Sequence, residues 1–198
     1  MSIPRFRAMI SALETHFPNW RELNIHESSP AGSSSSKIAR ECKSYSYSYF
    51  FPDIPPGTNK NGMRCENVEQ LTFADETFDL FITQDVFEHV FHPNRGFKEI
   101  ARVLKSGGAH IFTIPWYYWN KTLVRATEEN GQVNHLEPPD YHGNPIDANG
   151  SLVVTEWGYE FPDFIYKYSG LSTTVLRIYD TYQGIDAKFI EIFISYKI

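Results

Sequence analysis

Residues Asn67 to Pro115 read NVEQLTFADETFDLFITQDVFEHVFHPNRGFKEIARVLKSGGAHIFTIP. Within this stretch Phe78-Asp79-Leu80-Phe81-Ile82-Thr83 is a nearly continuous apolar run, which suits a parallel strand buried on both faces. Phe97, Ile100, Ala101 and Leu104 then recur at helical spacing. Gly107-Gly108 follows Lys105, where a left-handed helix cap is expected. Ala109 to Ile114 reads as the next buried strand, closed by Pro115. Strand, helix and strand joined by short links predict a right-handed parallel crossover.

Working outward, Phe6, Met9, Ile10, Leu13 and Phe17 are spaced as an amphipathic helix that Pro18 ends. A short strand is expected over Glu22 to His26, followed by the turn Glu27-Ser28-Ser29-Pro30-Ala31-Gly32. Ser33 to Ser36 reads as a flexible linker or as the capped start of a helix over Lys37 to Cys42. Ser44 to Tyr49 alternates with a period of two and predicts a strand, whereas Asn67 to Phe73 reads as another short extended piece. Phe161, Phe164, Ile165 and Tyr168 suggest a helix closed by Gly170. Thr173 to Tyr179 and Phe189 to Tyr196 suggest two final strands joined through Gly184. Between these regular parts, Trp116 to Gly150 is rich in Pro, Asn, Gly, Tyr and His, as a functional lid would be. The expected organisation is an N-terminal helix over 1–21 and one domain over 22–198, with an insertion at about 116–150.

Composition narrows the function. The 198 residues suffice for one domain with a sizeable core. The net charge of -6 and the lack of a Lys/Arg run disfavour a bare nucleic-acid partner. Cys42 and Cys65 form no CxxC pair and read as buried free thiols. Neither a signal peptide nor a membrane-spanning segment is legible, so a cytoplasmic protein is expected. No GxGxxG turn follows the first strand, which ranks a dinucleotide oxidoreductase last.

The motif series Leu71-Thr72-Phe73, Phe78-Asp79, Glu88-His89-Val90, Arg102-Val103-Leu104 and Gly107-Gly108 resembles the core of class I S-adenosylmethionine-dependent methyltransferases of the type 11-like kind. The Glu-Ser-Ser-Pro loop from Glu27 to Pro30 and the Tyr-His-Gly-Asn-Pro run from Tyr141 to Pro145 resemble one branch of it. The resemblance implies a three-layer Rossmann-like α/β sandwich, mostly parallel, with an antiparallel C-terminal strand. It implies S-adenosyl-L-methionine as cofactor, held beyond the carboxyl ends of the strands at the switch point. Glu27, Ser28, Ser29 and Gly32 would form the first loop, with Glu27 receiving the ammonium group. Asn67 and Val68 would meet the adenine, Ser48 or Asp53 the ribose, and Asp85 and Val86 the end of the fourth strand. Ser29 and Ala31 depart from the glycines expected there, which also motivates a cofactor-binding module without catalysis as a second hypothesis.

Methyl transfer needs positioning more than acid or base strength. Phe87, Trp116, Tyr117 and Tyr118 offer aromatic faces to a sulfonium. His89 is the candidate base for a hydroxyl acceptor. Trp116, Tyr117, His135, Tyr141 and His142 are the candidates for contact with a small-molecule or glycan-type acceptor. Glu88 reads as structural, at a helix start. A metal site from His135, Asp140 and His142 has no recognised ligand spacing, and none is expected.

Overall fold

The computed structural model describes residues 2–143 and 148–198; Asn144 and Pro145 of the Tyr-His-Gly-Asn-Pro run lie outside the described residues. Helix α1 (Pro4–His16) leads into β1 (Asn24–Ser28), α2 (Gly32–Glu41) and β2 (Ser44–Tyr49). A small hairpin, β3 (Asn59–Lys60) and β4 (Met63–Cys65), precedes β5 (Phe78–Gln84), α3 (Pro93–Val103) and β6 (Leu104–Thr113). The insertion holds β7 (Leu123–Val124), β8 (Ala126–Glu129), β9 (Gln132–His135) and β10 (Tyr141–His142). Then come β11 (Ser151–Leu152), β12 (Thr155–Glu156), α4 (Phe161–Ser169), β13 (Ser172–Leu176) and β14 (Ile192–Tyr196).

Among the described residues the main sheet has the order β13-β14-β6-β5-β1-β2-β4-β3. β1 is parallel to both β2 and β5, β5 to β6 and β2 to β4, whereas β14 runs antiparallel between β6 and β13. From β1 the chain first builds outward through β2 and β4, then returns to build through β5 and β6 on the other side. The reversal puts a crevice at the carboxyl ends of β1 and β5, where open α/β sheets bind ligands. The fold is the three-layer Rossmann-like methyltransferase sandwich.

Strand alternation sorts the core by chemistry. Phe81, Phe112 and Phe193 face α3 and α4 together with Phe97, Trp157 and Phe161. Leu80, Ile82, Ile111, Ile192 and Ile194 face α1 and α2 with Met9, Leu13 and Ile38. Phe78 also joins the aromatic side, at the point where the β5–β6 register shifts between Phe78 and Leu80. Phe97 is fully buried and stacks on Phe87 with ring centroids 4.0 Å apart. Phe97→Ala should therefore cost about 3–5 kcal/mol, read as a fall in the urea midpoint with unchanged slope.

Several expectations need correction. The Ser33–Ser36 run is not a linker: α2 starts at Gly32, and Ser34 and Ser35 are buried beneath it. Their hydroxyls reach Gln84 and Glu27, so the serines serve the carboxyl ends of the two central strands. Gly107 takes a positive φ of 78°, but inside β6 and not as a helix cap, since α3 passes straight into the strand at Leu104. There it pairs with the C-terminal tail, the Gly107 amide donating to the Lys197 carbonyl at 2.9 Å. The strand between β2 and β5 is Met63–Cys65, while Asn67 to Gln70 forms a turn. Glu88 does not start a helix, because α3 begins at Pro93. Within the insertion, β8 and β9 form a hairpin around Asn130-Gly131, both at positive φ, as a two-residue turn requires. Cys42 and Cys65 are buried and free. No helix among the described residues is long and apolar enough to cross a membrane.

Candidate functional site

The first loop is locked from below by Glu27. Its fully buried carboxylate accepts hydrogen bonds from Ser35 Oγ, the Gln84 side-chain amide and the Tyr45 hydroxyl, each at 2.7 Å. Burial pushes the carboxyl group above its ordinary pKa range, against the pull of those donors. Glu27 thus braces the loop from within the core, and the expected contact with an ammonium group is not available to it. Ser29 stands at φ 56°, a conformation a glycine would adopt without strain, and its amide donates to the Ser48 carbonyl at 2.7 Å. Pro30 accepts from the Tyr49 hydroxyl, and Ser28 is buried. Gly32, at φ 72°, lies against the ring of Phe6 from α1.

The other strand ends line up with this loop. Gln84 bridges β5 to Glu27 and Ser34, and the Glu66 amide donates to the Tyr49 carbonyl. Asp85, at φ 53°, accepts from the Thr113 hydroxyl at 3.0 Å and forms an ion pair with Arg5 of α1. Asn67 turns the chain by accepting from the amides of Glu69 and Gln70, both at 2.9 Å. Val68 is buried in the aromatic cluster, against which Val86 packs. Ser48 is corrected: its fully buried hydroxyl faces His26 Nε2 at 3.0 Å, on the opposite side of the sheet from Tyr45 and Tyr49. Asp53 is exposed and paired with Lys60.

A cleft of about 550 Å³ opens beside Asp85 at the ends of β5 and β6. Arg5, Asp85, Glu88, His89, Tyr117 and His142 are among its lining residues. His89 Nδ1 lies 2.7 Å from the Leu152 carbonyl, which can only accept, so Nδ1 carries a proton and, in the neutral ring, Nε2 holds the lone pair. That Nε2 stands 3.8 Å from Glu88 Oε1, and His142 Nδ1 approaches the same oxygen to 3.8 Å. The Glu88 carboxylate raises the pKa of His142, more than burial lowers it. Burial, reinforced by nearby acids, raises that of the Tyr117 hydroxyl.

His89, Tyr117, Tyr141 and His142 line the same cleft. Other expected contacts stand elsewhere. Trp116 donates its indole N–H to the Gly158 carbonyl and packs on Phe193. His135 sits on the exposed strand β9. Phe87 is fully buried, and Tyr118 stacks under the Arg177 guanidinium. Sequence reasoning missed Arg5 and Glu88. The first comes from a helix read only as packing, and the second reads from sequence as structural at a helix start although it lies in the Glu88-His89-Val90 motif.

A profile described as a methyltransferase domain matches residues 31–112. A search of curated proteins found no match. An S-adenosylmethionine-dependent methyltransferase from Mesorhizobium loti superposes with a TM-score of 0.58 at 13% identity, covering 95% of this chain and 96% of its own. A chain from a complex containing the Haloferax volcanii Trm112 methyltransferase activator gives 0.56 at 14% identity, over 98% and 90%. The 1,6-didemethyltoxoflavin-N1-methyltransferase of Burkholderia thailandensis, with S-adenosylhomocysteine bound, gives 0.53 at 12% identity, over 96% and 76%. Likeness at these identities is likeness of fold, and it agrees with the profile. The chain thus has the fold of the S-adenosylmethionine-dependent methyltransferases, and residues 31–112 match the methyltransferase-domain family model.

Proposed function

We propose that the chain transfers a methyl group from S-adenosyl-L-methionine to a small-molecule or sugar-containing acceptor seated in the cleft beside Asp85. One observation carries this reading: a cleft of ligand size adjoins the switch-point crevice and is lined by His89, whose Nδ1 is tied to the Leu152 carbonyl. The toxoflavin-precursor enzyme among the structural neighbours acts on a small molecule, which agrees with that choice. A net charge of -6 argues against a nucleic-acid backbone in the same place.

The residues at the crevice fit the cofactor. Its amino-acid end is a zwitterion, and Arg5 with Asp85 offers one cation and one anion at the crevice mouth. Ser28, Ser29 and Gly32 would hold that end through the loop backbone, with Asn67 and the Val68 backbone toward the adenine. The bound cofactor supplies a methyl group already activated by a positive sulfur. The chain then has to orient the acceptor and exclude water, which can be worth about 7–11 kcal/mol. His89 takes the proton of an acceptor hydroxyl at Nε2, while the Leu152 carbonyl keeps Nδ1–H oriented. Tyr117, Tyr141 and His142 line the wall against which the acceptor rests.

Isothermal titration with S-adenosylhomocysteine tests cofactor binding; absence of heat at millimolar ligand would overturn it. Turnover is then measured on a panel of hydroxyl- and amine-bearing small molecules and sugars. His89→Ala should lower turnover of a hydroxyl acceptor by about 10²–10⁴-fold while leaving S-adenosylhomocysteine affinity in place. The second reading, a binding module without catalysis, is favoured by Ser29 and Ala31 standing in the glycine loop. Turnover of any acceptor would defeat it.

A further inference from the structure

We propose that Glu88, His89 and His142 form a binding site for a divalent first-row transition-metal ion of the zinc and cobalt class, open to the acceptor cleft. One potential ligand atom from each residue lies within 4.8 Å of the others. Metal–ligand bonds of about 2.0–2.1 Å at tetrahedral angles set donors about 3.4 Å apart. The observed separations of 3.8 Å from Glu88 Oε1 to His89 Nε2 and to His142 Nδ1 are a few tenths of an ångström wider. They are also too long for hydrogen bonds.

The decisive feature is Glu88. Its side chain is 2% exposed, and among the described residues neither carboxylate oxygen has a hydrogen-bond partner. Buried carboxylates are rarely left so, because the desolvation cost is uncompensated. A cation between the carboxylate and the two imidazoles would supply the missing partner. His89 is already arranged as a ligand: its Nδ1–H is tied to a backbone carbonyl, the outer contact that sets a metal-bound histidine's tautomer and ring direction. That carbonyl belongs to Leu152 in β11, whose partner strand β10 carries His142. The hairpin therefore orients both rings, which stand edge to face with centroids 5.4 Å apart. Gly150, at φ 80°, lets the backbone close against the His142 carbonyl.

The donor set selects the metal. Two imidazole nitrogens and one carboxylate oxygen suit zinc, cobalt or ferrous iron, whereas magnesium and calcium prefer oxygen ligands. Three protein donors leave a position open, which an acceptor oxygen in the cleft can take. The ion would take the same Nε2 lone pair that serves as base in the metal-free chain, so occupancy should switch off proton removal by His89. The proposal goes beyond methyl transfer itself and holds whatever the acceptor is.

The test uses the full chain stripped with a chelator and titrated with Co²⁺ and with Zn²⁺. We expect one equivalent bound, with visible d–d absorption of a nitrogen-ligated cobalt ion that millimolar Mg²⁺ does not displace. Glu88→Gln and His142→Ala should each weaken binding by at least about 100-fold, beyond the loss usual for an outer-shell contact. His16→Ala, at an exposed position at the end of α1, should leave it unchanged. Circular dichroism checks each fold, and His142→Ala alters only a half-exposed hairpin residue. Absence of stoichiometric binding, as an ordinary Glu88–His142 ion pair predicts, would overturn the site. Binding that survives both substitutions would do the same. Titration of S-adenosylhomocysteine into the stripped protein separates failure of the metal site from failure of the cofactor reading.

Discussion

Acidification from about pH 6.5 toward about pH 3 should cost this protein up to about 2.7 kcal/mol of stability per pH unit through two buried histidines. His26 and His110 lie inside the sheet, and burial lowers each to about 3, with Arg64 adding to the effect at His26. In the unfolded chain both titrate near the ordinary value of 6.5. Between those two values the unfolded chain binds more protons, so stability is full above the upper value and falls as pH drops toward the lower one. Neither ring can recruit a buried acid: His26 faces Ser46 and Ser48, and His110 faces the Thr83 hydroxyl amid phenylalanines. Glu27 works the other way, since its raised pKa favours the folded state as pH falls through the carboxylate range. Urea midpoints between about pH 7 and about pH 4 measure the slope. His110→Leu should remove about half of the histidine contribution. An unchanged slope in that variant would show that His110 is protonated in the fold, or that carboxylates alone govern acid unfolding.

Gly32→Val should be the most damaging substitution at the cofactor loop. The residue stands at φ 72°, where a side chain other than glycine is strained, and an added Cβ would run into the ring of Phe6. Overpacking and backbone strain together predict a loss of about 2–5 kcal/mol. The consequence is functional as well, because Phe6 sits beside Arg5, and Arg5 pairs with Asp85 at the crevice mouth. Displacing α1 should weaken S-adenosylhomocysteine binding at least tenfold. Phe6→Ala in the same chain relieves the clash and should recover part of the stability, giving a coupling energy between two contacting residues. Recovery of stability without recovery of affinity is expected, since the ring no longer shapes that side of the loop. Wild-type affinity in Gly32→Val would sever the link between α1 and the cofactor.

The stretch from Phe78 to Thr113 declared its architecture in one dimension. A two-face-buried strand, an amphipathic helix and a second buried strand each carry a local period, and periods survive without knowledge of neighbours. The same holds for α1, and for α4 ending at Gly170 in the left-handed conformation. Element boundaries were less legible. Ser33 to Ser36 looks like linker composition, yet these residues fold into α2 because Glu27 and Gln84, from two other strands, accept their hydroxyls. The direction of Ser48 was equally hidden: a strictly alternating strand shows that its two faces differ, not which face meets the cofactor.

By itself, then, the order of residues determined the α/β class, the parallel crossover and the motif series, because these depend on short-range spacing and burial. Only the folded chain could decide that Glu27 braces the core, that Arg5 reaches Asp85, and that Glu88 and His89 meet His142 across a hairpin. Those encounters join residues far apart in the chain through the twist and pairing of strands. A linear pattern carries no signal for a carboxylate whose partner arrives from another layer.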